Sequence, residues 1–103
     1  MIELETVREY EQRIQTGLAA ERLLENRDYK DLFEKALFTT EVASLVSSLN
    51  KHPADSAETR EILNQLRSIS FIQHYLSGLV SAGKDAKVSL NEFRELTSTE
   101  ELS

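Results

Sequence analysis

The chain has one proline, Pro53, and three glycines in 103 residues. That scarcity of helix breakers constrains the fold more than any other feature. Proline removes a backbone donor and clashes with the preceding turn, and glycine weakens a helix interior. With so few of either, long helices run without interruption. Fifteen leucines against ten valines and isoleucines point the same way. No useful stretch of alternating polarity and no Asn-Gly or Asp-Gly turn argues for strands.

Apolar spacing then places the helices. Leu4, Val7, Tyr10, Ile14 and Leu18 fall within about 120° of arc at 100° per residue, predicting a helix over 3–25. The stripe drifts through Gly17, Ala20 and Leu24, and the small Gly17 and Ala20 would admit another backbone closely. Asn26 is a predicted stop and Asp28 a predicted cap. A short helix follows over 28–38, and Thr40 is expected to cap a third, whose apolar face includes Val42, Leu45, Val46 and Leu49. The residue before Pro53 is pushed out of helical geometry, so that helix ends near Asn50. Asp55 or Ser56 caps the next, over 56–82, where Ile62, Leu66, Ile69, Leu76 and Val80 lie within about 40° of one line. Gly83 reads as a C-terminal stop. Ser89-Leu90-Asn91-Glu92 reads as a capping box before a last short helix.

These elements predict an all-α protein: an elongated antiparallel helical bundle of four main helices with a short C-terminal helix. The expected organisation is a helical bundle over 1–83, then a short capped helix and flexible acidic tail over 84–103.

Composition narrows the chemistry. Without cysteine there is no disulfide framework and no zinc ribbon. Twelve basic against eighteen acidic residues give a net charge of −6, unfavourable for a phosphate backbone, so no nucleic-acid partner is expected. No apolar run approaches the ~18–20 residues that cross a bilayer, and the acidic Met-Ile-Glu-Leu-Glu start is unlike a targeting signal. The two histidines, His52 and His74, form no ligand pair. No nucleophile elbow and no phosphate loop is present, so neither catalytic residues nor a cofactor are expected. Residues 81–92 resemble the second half of a calcium-binding loop, with Asp85 and Glu92 as candidate ligands. The first half lacks the aspartates and the glycine such a loop needs.

One feature points outward. Ile72 and Leu79 widen the main stripe of the long helix, while Phe71 and Tyr75 project to roughly the opposite side. A helix apolar on two sides must be covered on both. The cover can come from other parts of this chain, from a second copy or from a different protein, and for the last two Phe71, Ile72, Tyr75 and Leu79 are the candidate partner-binding residues.

Two runs carry a family resemblance. Ala20-Glu21-Arg22-Leu23-Leu24-Glu25-Asn26-Arg27-Asp28-Tyr29-Lys30-Asp31-Leu32 resembles a stretch of the small acidic helical proteins of tailed bacteriophages. So do Glu61-Ile62-Leu63-Asn64-Gln65-Leu66-Arg67-Ser68-Ile69 and Gln73-His74-Tyr75-Leu76. The resemblance spans about residues 15–80, with Arg27 standing where that group has proline and with a longer polar tail. It implies a phage accessory protein in the virion or the host cytoplasm. Such a protein would act by helix-mediated contact, with itself as a homo-oligomer or with a phage structural protein. The alternative is a small acidic inhibitor that binds and blocks a host enzyme.

Overall fold

A computed structural model describes the backbone of residues 2–102 and the side chains of residues 4–97. The chain is all-helical, with no strand among the described residues. Helix α1 spans Ile2–Glu25 and the single turn α2 spans Arg27–Tyr29. A π-helical segment, Lys30–Glu41, follows. Then come α3, Val42–Leu49, and α4, Ala57–Leu102. The residues divide into two compact units. One joins Met1–Arg22 to Ser77–Ser103, and the other is Leu23–Leu76.

In the first unit α1 and the second half of α4 run antiparallel. Arg94 pairs with Glu11 at 3.3 Å, and Gly17 lies against Gly83. Gly17, Ala20, Gly83 and Ala86 are all buried, so small residues from both helices form the seam. The close approach expected at Gly17 is met here, and Ala20 is buried.

Gly83 is not a stop. Helix α4 runs straight through it, and no glycine has positive φ. A glycine ends a helix by turning left-handed. Here it stays right-handed and contributes its missing Cβ instead. The helix expected to end at 82 therefore continues to Leu102, and the Ser89–Glu92 capping box does not form, because its backbone donors are already bonded within α4. The short C-terminal helix is part of α4. The expected tail, Thr97–Ser103, is helical through Leu102, while Ser103 and the side chains beyond Thr97 lie outside the described residues.

The second unit is built on Leu45, Ile62 and Ile69, with Leu37, Phe38, Val42, Leu49 and Leu66 packed against them. Full burial of each such side chain contributes about 1.5–3 kcal/mol. Asn26, not Asp28, caps α2: its extended backbone turns the chain and its side-chain oxygen accepts from the Tyr29 amide at 3.0 Å. Helix α3 ends at Leu49, as Pro53 requires. Ser56 caps α4 by accepting from the Thr59 amide at 3.2 Å, and the buried Thr59 hydroxyl donates to the Pro53 carbonyl at 2.8 Å. Among the described residues no helix is long and apolar enough to cross a membrane.

Candidate functional site

The break expected at Thr39 and Thr40 is absent. Instead the chain widens into π geometry over Lys30–Glu41, with i→i+5 bonding. The threonines do not cap α3. The Thr39 hydroxyl donates to the Glu34 carbonyl at 2.8 Å, and that of Thr40 to the Lys35 carbonyl at 3.1 Å, each five residues back. These bonds serve carbonyls of the wide turn. Side-chain packing follows the same period. Phe33 and Phe38, five apart, meet edge to face with centroids 6.2 Å apart, while Tyr29 stacks on Phe33, four residues on, at 4.9 Å. In an α-helix residues five apart diverge around the axis. Here they share a face.

The π-helical segment and α3 form one wall of an open groove, and the first half of α4 forms the other. Its volume is about 550 Å³. Leu32, Ala36, Leu37, Leu45 and Ile69 give it an apolar floor. Glu41 on one wall faces Glu61, Asn64, Gln65 and Ser68 on the other. Leu32 is 66% exposed, so the groove leaves a large apolar side chain uncovered. Neither Glu41 nor Glu61 forms an ion pair among the described residues. Glu61 only accepts from the Gln65 amide at 3.4 Å.

Phe71 and Tyr75 lie on α4 beside this groove. They are 69% and 55% exposed, and their rings stack with centroids 6.1 Å apart. Ser68 on the groove rim precedes Phe71 by three residues and Ile72 by four, so all three are neighbours on the helix surface. Ile72 is half-buried. Leu79 belongs to the other unit, where it is half-buried and lines a second groove with Glu9, Gln12, Arg13, Thr16 and Ala82. The second unit thus holds three of the four predicted partner-binding residues.

Sequence spacing missed the groove itself. The signal was present in the pairs Leu32/Leu37 and Ala36/Glu41, each five apart, which line one wall only when the turn is π rather than α.

Tyr29 is the one buried side chain among the described residues whose polar atom finds no hydrogen-bond partner. Burial, then the negative charge of Glu34, pushes its hydroxyl pKa up. The hydroxyl is therefore held neutral in an aromatic cluster.

Residues 81–92 are helical throughout, so no calcium-binding loop wraps there. Asp85 and Glu92 stand about 10 Å apart along the α4 axis, too far to share an ion. No group of three or more acidic, histidine or cysteine side chains placed to hold a metal occurs among the described residues. Comparison with protein-family models, with curated proteins and with solved structures finds no match to this chain.

Proposed function

We propose that this chain is a non-enzymatic contact protein that associates with a second copy of itself through the α4 surface around Phe71, Ile72 and Tyr75. The observation that carries the reading is the stacked Phe71–Tyr75 pair, which the chain leaves more than half exposed. Aromatic side chains bring large apolar area to an interface at small cost in side-chain freedom. A patch of this kind with no internal cover fits a docking surface. The resemblance to small phage proteins adds the setting: a role in a virion or its assembly, in which the same chain also docks on a phage structural protein.

Sedimentation velocity over a wide concentration range tests the reading. The wild-type chain shifts from monomer to a larger species as concentration rises. Phe71→Ser with Tyr75→Ser stays monomeric with an unchanged helical circular dichroism signal. A wild-type chain monomeric throughout overturns self-association, and loss of helix in the double variant shows that the two rings support the fold.

A further inference from the structure

Arg60, Asn64, Arg67, Phe71 and Tyr75 lie within about 40° of one line along α4. No carboxylate lies on this strip, and both arginines are exposed without an ion-pair partner among the described residues. The strip is therefore cationic and aromatic. The groove beside it is the reverse: a leucine-rich floor between two exposed carboxylates, Glu41 and Glu61, with no cation in its lining. The two cations on its π-helical wall, Lys30 and Lys35, are paired with Glu25 at 3.2 Å and with Asp31 at 3.4 Å. The two surfaces meet along α4, where Asn64 belongs to both.

From this juxtaposition we infer that the occupant of the Leu32–Ile69 groove is the Arg60–Tyr75 strip of a second copy, packed about a two-fold axis. A two-fold interface uses one patch on both copies, so the patch must complement itself. A patch uniform in charge cannot do so. This one can, because it carries its cations on one side and its carboxylates on the other, with apolar surface between. Phe71 and Tyr75 of each copy seat on the exposed Leu32 and Ala36 of the other, and Arg60 and Arg67 face Glu41 and Glu61 across the rim. The groove walls also match a helix in length: Glu61 to Ile69 on α4 covers about 12 Å, two turns. The four charges then gain partners they lack within one chain.

The inference rests on the self-association reading and deepens it. Its test is a charge-swap rescue on the full chain, followed by sedimentation velocity in low salt. One variant carries Arg60→Glu with Arg67→Glu, the other Glu41→Lys with Glu61→Lys. All four positions are exposed, and circular dichroism checks that each variant is folded. Each variant alone associates at least tenfold more weakly than wild type, because like charges then oppose across both halves of the interface. Mixing the two brings opposite charges together in both halves and restores a heterodimer of near wild-type affinity. Two variants that associate as the wild type does, or a mixture that stays dissociated, overturn the groove pairing while leaving association through Phe71 and Tyr75 standing. A wild-type chain that never associates removes both.

Discussion

A Cβ built on Gly17 would stand 3.0 Å from the Gly83 Cα, and one built on Gly83 would stand 3.0 Å from the Gly17 Cα. Backbone atoms of the Leu79 and Arg13 carbonyls lie equally close, at 3.0 and 3.1 Å. Backbone cannot swing aside as the end of a long side chain can, so alanine at either position forces the helices apart. Overpacking of this kind costs about 1–3 kcal/mol. Alanine normally gains about 0.5–1 kcal/mol over glycine in a helix, which offsets part of it. Gly78 is the internal control, since a Cβ there meets nothing within 4 Å. Denaturant midpoints should fall for Gly17→Ala and Gly83→Ala and rise for Gly78→Ala. Equal stabilisation in all three would remove the close seam.

Tyr29→Phe should not destabilise the fold and should stabilise it by up to about 1–2 kcal/mol, because it deletes a buried hydroxyl without a partner while keeping both ring contacts. A pH effect accompanies it. With the folded pKa raised above the ordinary tyrosine value of about 10, the folded chain holds the proton longer than the unfolded chain. This contribution is complete below that ordinary value and is lost as pH rises through the folded pKa. Melting temperatures followed upward from pH 9 should drop less steeply in Tyr29→Phe. Parallel alkaline slopes would show that Tyr29 ionises alike in both states.

The contrast between Ile62 and Gly83 shows what the sequence made legible. Ile62 and Ile69 belong to a stripe set by the α-helical period, and both are buried, with Leu66, Leu76 and Val80 half-buried along the same line. That period depends only on neighbours a turn away. Gly83 is different, since a glycine has the same spelling whether it turns a helix off or lets a backbone approach. Gly17, far along the chain, decides which. Asn26 reads as a stop and Asp28 as the cap, and the extended backbone at Asn26 makes Asn26 the cap instead. The groove was hidden for a third reason: Leu32 and Leu37, and Ala36 and Glu41, stand five apart, a spacing that an α-helical template does not place on one face.

Removing the hydroxyls of Thr39 and Thr40 tests why the π turns persist. Their bonds to the Glu34 and Lys35 carbonyls span five residues, a reach suited to this geometry. Each is solvent-exposed, so its net worth is about 0.5–1.5 kcal/mol. Thr39→Ala with Thr40→Ala should lower global stability modestly and speed amide exchange in Lys30–Glu41 more than in α3. Uniform acceleration along the chain would mean that the hydroxyls stabilise the fold as a whole and not the wide turns in particular.

Exposure separates two kinds of apolar residue on α4, and stability measurements should separate them too. Ile69 is 8% exposed at the centre of the second unit's core, and truncation to alanine leaves a cavity costing about 2–5 kcal/mol. Phe71, two residues on, is 69% exposed. Its ring touches Tyr75 on the same helix, an i,i+4 pair contributing about 0.2–0.5 kcal/mol. Phe71→Ala measured at concentrations where the chain is monomeric should therefore lose less than about 1 kcal/mol, offset in part by the better helix propensity of alanine. At concentrations where the chain associates, the same variant should lose more, because the partner's contribution to apparent stability grows with concentration. A Phe71→Ala deficit that matches Ile69→Ala and ignores concentration would place that ring in the core and leave the α4 surface without a docking role.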